Sequence, residues 1–453
     1  MTKNNKTGLH PGRPVMPALL TLLLLFAGLS NSANAQGKPI TLKQALELGL
    51  NHSYKLKESR ANIAIAQANR SRLKDAMLPT ASLNANYTRI SNNITQLPPV
   101  DFGGGPVILN RQILNQYVTR ASISEQVFAG FKAKNALASA RLLEEAAVLD
   151  GERDKADVSI SVIRAYYDVY KLEQTRRMIN DNLGNARENL ANAQSNARNG
   201  VVTENDVLRV RLQQTNIEYT LVDVENNLKA ARYNLSVMLG LPADMALQPD
   251  TASIFSQHAG IPAFDAMLTQ AGGRAELKAA GLRLLSSEKE AELLRGNYLP
   301  TISVGGNYNY MNPNPRIFPP APIWKNTWDA GVTFSYNLTN LYTNKHNLAN
   351  AYAVSDAIKA RKESLNEAIQ TDLKRQSLAY EREQQKISVA NKAYSQAAEN
   401  YRVTRNKYNS GVSILTELLD ADLLLLQARI NQSTAKADAE IAWYNMQYAL
   451  GAL

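Results

Sequence analysis

The chain contains no cysteine, which removes disulfides, thiolate metal sites and cysteine nucleophiles at once. Phe and Trp are scarce, 8 and 3 in 453 residues, against 20 Tyr, an odd recipe for a compact enzyme core. Of four histidines, His52, His258 and His346 stand far apart without metal-ligand spacing or a nucleophile motif, and packing or surface roles are expected for them. Carboxylates sit beside basic residues on helix faces, as in DLKRQ and EREQQK, rather than in an acid/base constellation. The chain is therefore expected to be no enzyme, with no catalytic residue, cofactor or metal centre. No Arg-rich tract with clustered aromatics points to nucleic acid.

Long apolar runs are missing too. The longest, Ala18 to Leu29, is too short to span a bilayer. Lys3, Lys6 and Arg13 precede it and Ala33-Asn34-Ala35 follows, so residues 1–35 read as a secretory signal peptide, and His10 leaves with it. Loss of those three cations takes the formal charge from +10 to +7. No Cys follows the apolar run, which excludes an N-terminal lipid anchor. An exported protein without disulfides depends on packing or oligomerisation for its stability.

What is present is a duplication. Leu78, Pro79, Thr80, Ser82, Asn86 and Tyr87 recur as Leu299, Pro300, Thr301, Ser303, Asn307 and Tyr308. Gly200, Tyr233, Asn234, Leu239 and Gly240 recur as Gly411, Tyr444, Asn445, Leu450 and Gly451, at a displacement shorter by about ten residues. The extra length is expected in the loop between the first pair of strands. The chain divides into a first repeat at 36–241, a linker at 242–261 and a second repeat at 262–453.

Each repeat holds a very long helical run. Residues 131–198 have no proline and two glycines, and residues 340–410 have neither, which predicts helices of roughly 100 Å at about 1.5 Å per residue. Heptad spacing of Leu183, Ala186, Leu190, Ala193 and Ala197, and of Leu221, Val224, Leu228, Ala231, Leu235 and Met238, predicts a coiled coil.

The segments after each LPT alternate strictly. Ala81, Leu83, Ala85 and Tyr87 oppose Thr80, Ser82, Asn84 and Asn86, and Ile302, Val304, Tyr308 and Tyr310 oppose Thr301, Ser303, Asn307 and Asn309. Trp328, Ala330, Val332, Phe334, Tyr336 and Leu338 do the same in a third segment. An apolar face with Tyr and Trp, set against an uncharged hydroxyl- and amide-rich face, is the pattern of a membrane β-barrel. A soluble amphipathic sheet is the other reading. In a fourth segment, Tyr117, Ala121, Ile123 and Val127 share a face with Glu125, which lies either at the water end of its strand or beside a bulge. Four strands cannot close a barrel and an open sheet in lipid is costly, so several chains must pool strands, two giving eight or three giving twelve. The predicted fold is α+β: a β-barrel pore continued by a helical tunnel.

The ITLKQALELGLNHS opening, the LPT strand entries, VFAGF, the NGVVTENDVL turn, the YNLSVMLGL helix end and the repetition of the set resemble the TolC-type outer-membrane efflux and secretion channels over essentially the whole mature chain. The resemblance implies a homotrimer, with a 12-stranded barrel in outer-membrane lipid and a periplasmic helical barrel. It also implies a periplasmic adaptor (membrane fusion) protein and an inner-membrane transporter as partners. An exported coiled-coil scaffold or adhesin is the competing reading.

Two turns, Gly200-Val201-Val202-Thr203 and Gly411-Val412-Ser413, are expected to reverse the chain, with Thr203 and Ser413 as helix N-caps. By resemblance they form the tips that meet the adaptor. Glu417 and Asp420 are three apart on one helix face and would form carboxylate rings under threefold symmetry. The resemblance places such acids, with Tyr408 one turn before the tip, at a constricted entrance. Their first-repeat equivalents are Asp206 and Arg209, which makes Arg209 a candidate salt-bridge partner closing the entrance. Ser413 stands where the family places an arginine, so the closing network must differ here.

Overall fold

The computed structural model describes residues 39–92, 98–109, 112–242, 245, 247–250, 255, 258 and 260–453. Residues 1–35, expected from sequence to be a signal peptide, lie outside them. Two short elements come first, strand β1 (Pro39–Ile40) and helix α1 (Leu42–His52). The repeated set begins with α2 (Tyr54–Asp75), β2 (Thr80–Arg89), a small ribbon of β3 (Val100–Asp101) and β4 (Pro106–Val107), and β5 (Asn115–Phe128). It continues with α3 (Lys132–Arg198) and α4 (Glu204–Leu239). After β6 (Gln248–Pro249) and α5 (Phe264–Ala271), the set recurs as α6 (Ala275–Arg295), β7 (Thr301–Asn312), β8 (Lys325–Ser335), α7 (Asn340–Asn409) and α8 (Leu415–Leu450). None of the described helices is long and apolar enough to cross a membrane.

Strands β2, β5, β7 and β8 form one antiparallel sheet in that order, leaving β2 and β8 as its edges. The register sorts side chains by face. One row runs Leu83, Ala121, Tyr308, Trp328, and the next Ala81, Ile123, Gly306, Ala330. Leu83, Trp328 and Val332 are 74, 72 and 73 % exposed, an apolar face with nothing of its own chain upon it. At its loop end Tyr87 packs on Tyr117, and Trp324 lies between Tyr117 and Tyr310, with ring centroids 4.9–5.4 Å apart. Amphipathic rings gathered at one level suit a membrane interface.

Both alternatives for Glu125 are realised in part. A bulge does interrupt the pairing, but between Gln126 and Phe128, where it returns Phe128 to the apolar face opposite Ile302. Glu125 stays in the apolar row opposite Val304, beyond Ser124, the last β5 residue that β2 reaches. It is therefore near the helical end of the sheet.

The polar face departs from the expectation of an uncharged surface. Arg120 and Asp329 both lie on it, held by Asn309, whose Oδ1 accepts from Arg120 Nε (2.8 Å) and whose Nδ2 donates to Asp329 Oδ2 (3.3 Å). The loop expectation needs amendment as well. The connection between strands is indeed longer in the first repeat, residues 90–114 against 313–324, but the second repeat recovers part of the difference in its long helix, 70 residues against 67.

Helix α3 is the spine, packing on α2 and α6 in its sheet-proximal half and on α4 and α8 in the rest. Helix α7 lies beyond α6 and α8. The lateral order is thus α2, α3, α6, α7 near the sheet and α4, α3, α8, α7 away from it. Heptad residues Leu183, Ala186, Leu228 and Leu235 are buried, with Leu221, Val224, Ala231 and Met238 packed beside them. Midway along α3 every side is covered, because α1, α4 and the β1–β6 ribbon wrap it. Val162, Ile163, Tyr166, Tyr167 and Val169 are all buried there, and the Tyr166 hydroxyl donates to the Ile40 carbonyl (2.9 Å).

Of the histidines, His52 packs edge-on against Tyr54, while His258 stacks on Trp443 and its Nε2 lies 2.9 Å from Glu440 Oε2. His258 is a packing residue with a buried carboxylate partner, pinning the linker to α8.

Candidate functional site at the helical tips

Both turns close by the same backbone chemistry. Gly200 and Gly411 each adopt φ +73°, the left-handed region in which a side chain is strained. The Gly200 and Val201 amides bond back to the Ala197 and Asn196 carbonyls (3.0 and 2.9 Å), and Gly411 and Val412 repeat this with Tyr408 and Lys407 (3.0 and 2.9 Å). These are helix-terminating Schellman patterns. The sharp reversal pushes apolar side chains into solvent: Val201, Val412 and Ile414 are 71, 75 and 65 % exposed.

The helix starts that follow are unlike. Thr203 caps α4 in a reciprocal box: the Asp206 amide donates to Thr203 Oγ1 (3.2 Å), and Asp206 Oδ2 accepts from the Thr203 amide (3.0 Å) and hydroxyl (2.8 Å). Those bonds hold the Asp206 carboxyl below the usual aspartate range. In the second tip the expected cap is displaced. Ile414, not Ser413, is the N-cap of α8 and offers no side-chain bond. Ser413 lies one residue too early, matching Val202 rather than Thr203, and its hydroxyl instead donates to Glu417 Oε2.

Tyr408 is half-buried at the tip, where it packs against the cluster of Ala193 of α3, Val207 and Val210 of α4, and Leu415 of α8. Burial, and after it the Asp206 carboxylate, raises its hydroxyl pKa. Arg209 does cross between helices, but its Nη1 donates to the Thr416 hydroxyl (3.1 Å), and among the described residues it makes no ion pair. Glu417 and Asp420 are exposed on α8. Of the three acids, Asp206 is engaged by its cap and Glu417 by Ser413, whereas Asp420 has no hydrogen bond within the described chain.

Two features escaped the sequence reading. Thr416 is one. The other is Asp422, 4 % exposed, which accepts from Asn182 Nδ2 of α3 (2.9 Å). The signal for Asp422 was heptad spacing: it follows Leu415 and Leu418 and precedes Leu425 on the buried seam of α8, while Asp420, two residues earlier, faces away. Among the described residues no group of three or more His, Asp or Glu side chains could hold a metal ion within one chain.

No curated protein matches the chain by sequence. Solved structures do match its fold. VceC, an outer membrane protein of Vibrio cholerae, is 17% identical, with 90% of this chain and 96% of that chain covered and a TM-score of 0.74. The CmeC outer membrane channel of Campylobacter jejuni is 14% identical, with 91% and 85% covered and a TM-score of 0.76. The open-state MtrE outer membrane channel of Neisseria gonorrhoeae is 17% identical, with 90% and 88% covered and a TM-score of 0.73. The family model for outer membrane efflux proteins matches residues 45–241 and 271–452, the two stretches that hold the duplicated set. A sheet with one bare apolar face, joined to long paired helices that end in glycine turns, is thus the architecture of a passive exit channel rather than an enzyme, and the chain belongs to the outer membrane efflux protein family.

Proposed function

We propose that three copies of this chain, exported by a signal peptide at residues 1–35, assemble head to tail into a duct through the outer membrane and periplasm. The observation that carries this reading is the sheet: its apolar face is bare and its two edges, β2 and β8, are unpaired within the chain. In lipid an unpaired edge costs several kcal/mol per backbone group. Because the four strands alternate in direction, β8 of one copy meets β2 of the next antiparallel, and the helical edges follow suit, α7 meeting the neighbour's α2 and α4. Three copies give twelve strands, and the polar face lines the lumen.

The tips are the inner entrance. A periplasmic adaptor docks on Gly200, Val201, Val202, Thr203, Gly411, Val412 and Ser413, where the exposed valines offer apolar seats, and an inner-membrane transporter supplies the energy. Asp420, with Glu417 beside it, forms the carboxylate ring, and Arg209 and Tyr408 brace the closed state through neutral and apolar contacts. Currents across a planar bilayer test this: trivalent cations added on the tip side should block, and Asp420→Ala should weaken that block about tenfold or more. Block unaltered by Asp420→Ala removes the ring, and a protein that stays a single chain in plain buffer without detergent removes the duct.

A further inference from the structure

We propose that the outer half of the barrel lumen is an anion-attracting constriction, built from Arg120, Lys325 and Arg316 against Asp329, the single carboxylate among the described residues of that face, which favours small permeants bearing carboxylate, sulfonate or phosphate groups. The inference rests on the reading of the polar sheet face as the lumen.

The first observation is where the loop after β7 goes. On the apolar face Tyr308 and Tyr310 are 50 and 44 % exposed, but on the polar face their neighbours Asn309 and Met311 are 5 and 9 % exposed, and Asn314 is 1 %. The loop covers the polar face and is pinned there. Asn314 Nδ2 donates to the Lys325 carbonyl (3.1 Å), Arg316 Nη1 donates to the Trp328 carbonyl (3.2 Å), and Arg316 Nη2 lies 3.7 Å from Asp329 Oδ2. Segment 313–323 therefore narrows the passage from within.

The second observation is the charge at that level. By register, Arg120 and Lys325 project to the same face as Asn307, Asn309 and Asp329. Arg316 takes the one carboxylate. Arg120 is held at Nε by the neutral Asn309 amide, and among the described residues neither it nor Lys325 has an ion pair. The planar Arg120 guanidinium keeps its outer N–H groups for a ligand, in the fork that suits an oxyanion. Symmetry multiplies this excess of cations into a ring inside a narrow passage with low-dielectric walls, where field lines concentrate. The inner entrance is acidic and the outer mouth basic, so the duct is polarised along its length.

The test uses the full-length protein in planar bilayers with benzene-1,3,5-tricarboxylate, a trivalent anion, as the probe. Added on the barrel side it should block the current, and far less so from the tip side. Arg120→Gln should raise the half-blocking concentration about tenfold while Arg120→Lys retains the block. If Arg120→Gln yields no channels, Lys325→Gln carries the same expectation. A wild-type channel that conducts but is not blocked, or a conducting Arg120→Gln blocked as well as wild type, overturns the constriction and leaves the duct intact. A wild type that does not conduct overturns the duct and this inference with it.

Discussion

The side-chain amide of Asn182 donates to the carboxyl of Asp422 at 2.9 Å, joining α3 to α8 across the seam between the two repeats. Among the described residues the Asn182 Oδ1 atom is buried without a hydrogen-bond partner, and Asp422 makes no ion pair. Arg405 on α7 and Arg429 on α8 pull the Asp422 pKa down from farther off, but burial outweighs them and Asn182 together and raises it. Tyr401 of α7 feels the same set of charges, Asp422, Arg405 and Arg429, together with Glu188 of α3.

A raised carboxyl pKa means that the folded protein holds the proton more tightly than the unfolded chain. The seam is therefore strongest below the ordinary aspartate value of about 3.9, and loses stability as pH rises through the elevated one. Thermal unfolding of the detergent-solubilised protein should show that decline, and Asp422→Asn, which keeps the shape without the charge, should flatten it. An unchanged slope in the variant would place the proton elsewhere.

The two tips should respond differently to loss of a hydroxyl. Thr203→Ala removes a capping box and should cost about 1 kcal/mol locally, seen as faster hydrogen exchange at the first turn of α4. Ser413→Ala removes no cap, since Ile414 holds that position, and exchange at the start of α8 should hold steady. Ile414→Thr should slow it.

Where the sheet passes into the helices, two backbones cross. Gly130 has φ +65°, and a Cβ there would overlap the Gly296 carbonyl, just as one on Gly296 would overlap the carbonyl of Gly130. Gly130→Ala should therefore cost roughly 1–3 kcal/mol from the backbone conformation alone, with the clash in addition. Loss of heat-resistant oligomer on a gel reads the effect, whereas Gly184→Ala, at an open helical position, should be silent or mildly stabilising.

Glu173 in α3 is nearly fully buried and takes Arg176 at 2.7 Å and Arg232 of α4 at 2.7 Å. Glu173→Ala leaves two partly buried guanidinium groups without their carboxylate and should destabilise by about 1–3 kcal/mol, while the double variant Glu173→Met with Arg232→Met should recover most of it. Chemical denaturation of wild type and the two variants decides; a double variant no more stable than Glu173→Ala would mean that the pair does not act as a unit.

Much of the architecture could be read directly from residue order because it is local and periodic. Strict alternation in TISVGGNYNY specifies a strand with two unlike faces, proline-free runs specify long helices, and a glycine at a helix end specifies the reversal, each from one stretch of chain and its own backbone sterics. Tertiary structure alone decided what depends on register and lateral order. The pairing of β5 with β7 brought Arg120 to Asn309 and Asp329, residues from separate repeats. The packing of α3 on α8 buried Asp422, and a cap set one residue later sent the Ser413 hydroxyl to Glu417. A hydrogen bond acts over about 3 Å, so whether two polar groups far apart in sequence neutralise or leave each other charged is settled only when the helices and strands take their neighbours.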